Sequence, residues 1–278
     1  MNEEKTMRSL GVVKGNLLFF GGAYSNLQSL EALQSWAEAN GYTPKQIFCT
    51  GDILGYCAQP VECIRLIKEW GIHAIAGNVE LQIRNNEDNC GCDFKNGGRC
   101  DVFSRSWYTY IKAHINEEIV AWLNTLPHHI QFAYGDKKLM IVHGSWYHIA
   151  DYIFKSTPWQ QKQLNFDATG ADIIIAGHCG LPFEDNMNDK LWLNAGVIGM
   201  PANDGTDRAW FLTLEPDKHS NINHRFHYYN YDNHQTTKLM HIHGLPSCYA
   251  DTLLTGIWDN CEILPEEEAK QQGKKIYL

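Results

Sequence analysis

The first third of the chain repeats one pattern: a short apolar run, an exit containing glycine, then an amphipathic stretch. Leu17-Leu18-Phe19-Phe20 is apolar throughout and ends in Gly21-Gly22, which predicts a buried strand. Ser25 or Asn26 can then cap a helix whose inward face runs through Leu27, Leu30, Leu33 and Trp36 or Ala37 and stops at Asn40-Gly41. Ile47-Phe48-Cys49 predicts a second strand with Gly51-Asp52 at its exit. Pro60 opens a helix with Val61, Ile64 and Ile67 inward, ending at Gly71. A third strand is expected over 72–76, ending in Gly77-Asn78. This βαβαβ order implies a parallel sheet covered by helices.

From 80 to 131 the pattern turns helical around an irregular Cys-rich stretch at 90–100, with a helix expected over 116–126. Residues 131–133 and 139–142, joined through Tyr134-Gly135-Asp136-Lys137, predict a hairpin whose second strand exits at His143-Gly144. Apolar runs at 172–176 and 191–193 exit at Gly177-His178 and Asn194, and 209–214 and 224–229 alternate like antiparallel strands. After about residue 233 the periodic signal weakens. Without an internal repeat or a clear linker, the chain is expected to form a single domain over 1–278, with a core at about 14–232 and a tail, 233–278, wrapped on it.

Composition narrows the setting more than the chemistry. An apolar fraction of 44% with 20% charged residues is that of an ordinary globular protein. The net charge of −9 and the lack of a Lys/Arg block argue against a nucleic-acid or anionic-membrane surface, although a bound metal could still attract a phosphate. Glu3, Glu4, Lys5 and Arg8, with no long apolar stretch behind them, give no sign of a secretory signal, so a cytoplasmic location is expected. Nine cysteines, an odd number, argue against a full set of disulfides.

Four apolar runs are each followed by a glycine beside a possible metal ligand: Gly51-Asp52, Gly77-Asn78, His143-Gly144 and Gly177-His178. All four ligands fall at carboxyl ends of strands, where open α/β sheets place their sites. One carboxylate, one amide oxygen and two imidazoles suit Zn²⁺, Mn²⁺ or Fe²⁺ better than Ca²⁺. These motifs resemble, in order, those of the calcineurin-like metallophosphoesterases, particularly the bacterial small phosphodiesterases and diadenosine-tetraphosphatase-like proteins. Gly51-Asp52-Ile53-Leu54-Gly55-Tyr56 is similar to that family's second motif, and Ala76-Gly77-Asn78-Val79-Glu80 to its Asn motif. Val142-His143-Gly144-Ser145 resembles the fourth, Gly177-His178-Cys179-Gly180-Leu181-Pro182 the fifth, and Asn194-Ala195-Gly196-Val197-Ile198-Gly199-Met200-Pro201 the turn that follows. The resemblance spans about 17–214. It implies an α/β fold, a β-sandwich of two mixed sheets flanked by helices, and a metal-dependent hydrolase acting on a phosphate ester or anhydride.

The departures from the family pattern fall on one side. Where the family carries Asp-x-His after the first strand, this chain has Gly22-Ala23-Tyr24, followed by Ser25-Asn26-Leu27. The second histidine of the fifth motif is Gly180, and the histidine that usually serves as leaving-group acid is Val79. In the family's two-metal arrangement these losses remove every unshared ligand of one ion. The resemblance leaves the other ion its full set, Asp52, Asn78, His143 and His178, and so implies one divalent metal (Mn, Fe or Zn). Asp52, Asn78 and Tyr24 are the catalytic candidates, with Tyr24 either a proton donor or a ring over an empty position.

Cys90-Gly91-Cys92 and Cys100 supply three thiols without an obvious fourth ligand, and Cys57 and Cys179 sit inside motif loops. A thiolate-containing centre of different chemistry is therefore one alternative, and a non-catalytic binding protein on the same fold is another. No organic cofactor site is read. His219, His224, His227, His234 and His241-Ile242-His243 look metal-like only by count, and Trp107-Tyr108-Thr109-Tyr110 and Trp146-Tyr147 read as packing residues.

Overall fold

A computed structural model of the chain describes residues 6–217 and 222–278; His219 lies outside them. An edge strand, β1 (Met7–Val12), precedes the first apolar run, which forms β2 (Leu17–Phe20). Asn26 caps α1 (Leu27–Ala39) by accepting from the Ser29 N–H at 3.2 Å. β3 (Ile47–Cys49), α2 (Pro60–Trp70) and β4 (His73–Ala74) complete the expected βαβαβ unit. β4 is shorter than the sequence suggests: by Ala76 the chain has left β3, and its N–H goes to the Pro127 carbonyl at 2.9 Å.

Three helices follow, α3 (Asn78–Arg84), α4 (Arg99–His114) and α5 (Glu117–Leu123), with the Cys-rich stretch irregular between the first two. The expected hairpin is β5 (His129–Tyr134) and β6 (Lys137–Ile141). Then come α6 (Trp159–Thr169), β7 (Ile173–Ala176), the hairpin β8 (Pro182–Met187) and β9 (Lys190–Ala195), and the pair β10 (Ala209–Pro216) and β11 (Ile222–Tyr229). Helices α7 (Asn233–Ile242), α8 (Ser247–Thr255) and α9 (Glu266–Ala269) occupy the last part of the chain.

The strands make two mixed sheets, ordered β1-β5-β6-β7-β9-β8 and β11-β10-β2-β3-β4. The strand period of two splits each apolar run between two cores. Leu17 and Phe19 face the opposite sheet, whereas Leu18 and Phe20 face a core that also holds Leu30, Leu33 and Ile64 from α1 and α2. Between the sheets, Phe48 stacks on Phe19 at 5.0 Å and reaches across to Phe132 at 5.1 Å. Each such fully buried ring contributes about 1.5–3 kcal/mol of transfer free energy. A third core under α6 joins Phe166 to Trp192 and Ile174. This is the β-sandwich flanked by helices that the motif order implies.

Met240 of α7 and Tyr249, Ala250 and Leu253 of α8 belong to the same core as α1 and α2. Beyond α8 a strap, 256–276, runs back over the strand ends. Asn203 and Asp204 hold it: the Asn203 side chain accepts from the Trp258 N–H at 2.8 Å, its carbonyl from the Gly273 N–H at 2.9 Å, and Asp204 from the Ile276 N–H at 3.1 Å. Among the described residues no helix is long and apolar enough to cross a membrane.

Candidate metal centre

The parallel strands deliver the four sequence-predicted ligands to one spot. Asp52 lies just beyond β3, Asn78 opens α3, and His143 and His178 each follow their strand by two residues. Asp52 and His178 take left-handed φ values of 54° and 60°, a costly conformation for residues with a Cβ and one that concentrates at functional sites. Gly77 allows the loops to touch: a Cβ there would lie 2.1 Å from Asp52 Oδ1.

His143 sits at the centre of the cluster. Its Nδ1 meets the Thr50 carbonyl at 2.7 Å and must donate to it, which leaves Nε2 unprotonated in the neutral ring. Around that Nε2 stand Asn78 Oδ1 at 3.0 Å, His178 Nδ1 at 3.1 Å and Asp52 Oδ2 at 3.2 Å. Asn78 is fixed with its oxygen inward, because its Nδ2 donates to the Cys90 carbonyl at 2.8 Å and to Cys92 Sγ at 3.2 Å. One ring nitrogen carries at most one hydrogen and cannot make three hydrogen bonds. A cation shared by the four atoms removes the conflict, so the donor set fits a divalent metal bound through oxygen and nitrogen.

Electrostatics agree with the geometry. Burial opposes ionisation of Asp52, but the adjacent His143 and then His178 bring its pKa below the usual carboxylate value. Burial, followed by His143, pushes the His178 imidazole down to about 3, so it stays a neutral ligand. Beneath the cluster the fully buried Glu80 accepts from the N–H groups of Asp52 and Gly77, each at 2.8 Å, and of Leu54 at 3.0 Å. Burial, then Asp52, raises its pKa to about 7, against the pull of the Leu54 and Gly77 N–H groups. Sequence reasoning assigned Glu80 no role, although a glutamate three residues after a helix-capping glycine is a recognisable signal.

Aromatic rings cover the positions where the family pattern would place the other ion's ligands. A Cβ on Gly22 would lie 2.5 Å from Tyr24 Cζ, because the Tyr24 ring folds back over that glycine. A Cβ on Gly180 would lie 3.1 Å from Trp258 Cη2, a residue of the strap. Tyr24 meets the edge of Tyr56 at 4.7 Å, and Tyr152 stacks on His178 at 4.4 Å. Tyr152 and Trp258 carry no local sequence signal, since both reach the site only through the tertiary fold.

All nine cysteines are free thiols. Cys92, Cys100 and Cys179 line the cleft above Asp52 and His178. Cys90 contacts Cys92 and lines a neighbouring cleft, and Cys57 is enclosed in the core with α1 and α2. Cys179 accepts from Asn194 Nδ2 at 3.2 Å. Among the described residues the one grouping of three or more His, Cys, Asp or Glu donors close enough to share an ion is Asp52, His143 and His178. The structure thus does not gather the thiols into a centre of their own. Of the late histidines, His234, His241 and His243 are exposed, His224 pairs with Glu184, and His227 meets Thr213 Oγ1 at 2.9 Å.

Two mixed sheets with a polar cluster at their strand ends define a phosphoesterase-type sandwich. The chain belongs to the calcineurin-like phosphoesterase superfamily, whose domain profile matches residues 27–218. An uncharacterized protein of Methanocaldococcus jannaschii is 29% identical over 189 residues, covering 67% of this chain and 71% of that one. A metallophosphoesterase from Sphaerobacter thermophilus superposes with a TM-score of 0.67 at 24% identity, covering 88% of this chain and all of that chain. A Pyrococcus horikoshii protein gives 0.73 at 17% identity, covering 87% and 99%. These last two show similarity of fold.

Proposed function

We propose that the chain is a metal-dependent phosphoesterase with one divalent cation, held by Asp52, Asn78, His143 and His178. The observation that carries this reading is the convergence of three ligand atoms on a single His143 nitrogen, which holds at most one hydrogen for all of them. When bound, such an ion polarises a phosphoryl oxygen and acidifies a water. The protein's own groups do the rest. Glu80 holds the Asp52 and Gly77 backbones in place, and the Asn78 amide is clamped with its oxygen forward.

Val79 leaves no histidine to protonate the leaving group, and Tyr24 takes that part. Burial, and then the Asp52 carboxylate, push its pKa well above the usual phenol value, so the hydroxyl keeps its proton. As the water oxygen bonds to phosphorus and the ester P–O bond breaks, the departing oxygen takes the Tyr24 proton when it is a basic alkoxide, and accepts a hydrogen bond from it when it is an aryl oxide. In the first case the proton released by the water then restores the phenol.

Metal analysis of purified protein, followed by chelation and re-titration, tests the reading. We expect one Zn²⁺, Mn²⁺ or Fe²⁺ per chain, with His143→Ala and His178→Ala each weakening binding at least 100-fold while circular dichroism stays native. Tight binding that survives both substitutions would sink the proposal. So would a native protein that takes up none of the three ions.

A further inference from the structure

The walls of the cleft restrict which phosphate ester it can take. Above Asp52 and His178 the lining is dominated by Tyr24, Tyr56, Tyr152, Tyr249, Phe94 and Trp258. Among the described residues no lysine or arginine side chain lines it. The Arg99 guanidinium is engaged by Asp259, a residue of the lining, in a two-pronged contact of 2.6 and 2.7 Å. Asp259 itself faces the cleft, and its charge and that of Arg99 offset one another there. The rings are fixed against one another, with Tyr56 stacked on Trp107 at 4.9 Å and edge-on to Tyr249 at 4.9 Å. Trp258 is anchored by its Nε1–H to the Pro201 carbonyl at 2.8 Å.

Sites for phosphomonoester dianions and polyphosphates normally surround the anion with arginine and lysine, because each further charge taken from water needs a partner. This cleft offers aromatic faces instead, and those faces stabilise flat apolar groups. We infer that the substrate is a monoanionic phosphodiester bearing an aromatic or other apolar ester group, in preference to a phosphomonoester dianion or a polyphosphate chain. The inference rests on the phosphoesterase reading above and narrows it. Tyr249 and Trp258 are specificity-determining walls that touch the ester group, not the reacting phosphorus.

Three substrates with one leaving group test it on the cation-loaded full chain at mildly alkaline pH: 4-nitrophenyl phosphate, methyl 4-nitrophenyl phosphate and bis(4-nitrophenyl) phosphate. The methyl diester should exceed the dianionic monoester in kcat/KM by on the order of 100-fold, since only the charge and one methyl differ. The bis-aryl diester should exceed the methyl diester by about 10-fold, chiefly through KM, and Trp258→Ala and Tyr249→Leu should abolish that second step only. Calorimetry with diphenylphosphinate and dimethylphosphinate, monoanions that have no ester bond to hydrolyse, should give the same order, tighter for the aryl compound. A loaded enzyme that turns over the monoester as well as the methyl diester, or binds both phosphinates equally, overturns this inference and leaves the phosphoesterase standing. A protein that neither holds the cation nor binds either phosphinate overturns both.

Discussion

Glu80 shows how much of the site depends on one side chain that touches no substrate. Three backbone N–H groups, from the Asp52 loop and from the start of α3, end on its carboxylate in the dry interior. Glu80→Gln keeps the size and loses one acceptor oxygen, so at least one buried N–H is left facing an amide NH2. The expected cost is about 1–3 kcal/mol in denaturant unfolding. Because the same bonds orient Asp52 and Gly77, metal affinity should fall about 10–100-fold. Unchanged metal affinity in a folded variant would refute the positioning role. At this scale the sequence was most informative where chemistry and backbone coincide: Asp52, Asn78, His143 and His178 each stand beside a glycine at a strand exit. Tyr152 and Trp258 could not be foreseen, since only packing brings residues from after β6 and after α8 over His178 and Gly180.

Among the elements, legibility followed burial pattern. β2 and β3 are unbroken apolar runs, and α1 and α2 carry apolar stripes at a period of 3.6, and those patterns mark them. β1 is an edge strand exposed along most of its length, and β8 runs through Glu184-Asp185-Asn186 at its middle, so neither carries an apolar alternation to read. α6 lacks an amphipathic stripe because its buried face includes Lys162 and Asn165, with the Lys162 ammonium held by Asp185 and the Lys155 carbonyl. The exit loops of β2 and β7 carry the departures from the two-ion pattern, and there the ring over each glycine decides what can be restored. Gly180→His should bind no second ion and should lose about 1–3 kcal/mol, because it adds a side chain at φ +80° and presses on Trp258. The companion change Trp258→Ala should recover part of that loss, a compensation readable as a double-mutant cycle of melting temperatures. A Gly180→His protein that takes up two ions with undiminished stability would show that the ring does not fill the position.

Across the whole molecule, the strap joins parts of the chain that lie far apart in sequence. Glu262 accepts from the N–H groups of Arg99 and Cys100 at the start of α4, Asp259 pairs with Arg99, and Asp204 accepts from Ile276 while pairing with the buried Arg208. All three carboxyls sit below their usual pKa: hydrogen bonds from Arg99 lead for Asp259 and Glu262, and for Asp204 bonds from Thr206, Ile276 and Arg208 outweigh its burial. A depressed carboxyl contributes stability above its unfolded pKa of about 4 and loses it as the pH falls further, through the folded value. Below about pH 4 the strap should therefore loosen, seen as a change in tryptophan emission and as faster pepsin cleavage within 256–276. Asp204→Asn should show part of the same loosening at pH 6. Cleavage that is insensitive to both acid and substitution would mean that these carboxylates do not hold the strap down.

The order in which these parts leave the ribosome has a consequence of its own. Every ligand atom of the centre has been synthesised by His178, whereas the indole that covers Gly180 arrives eighty residues later. A chain that ended before the strap would thus keep all four ligands while missing one wall of its pocket, and would take alkyl and aryl esters with little distinction.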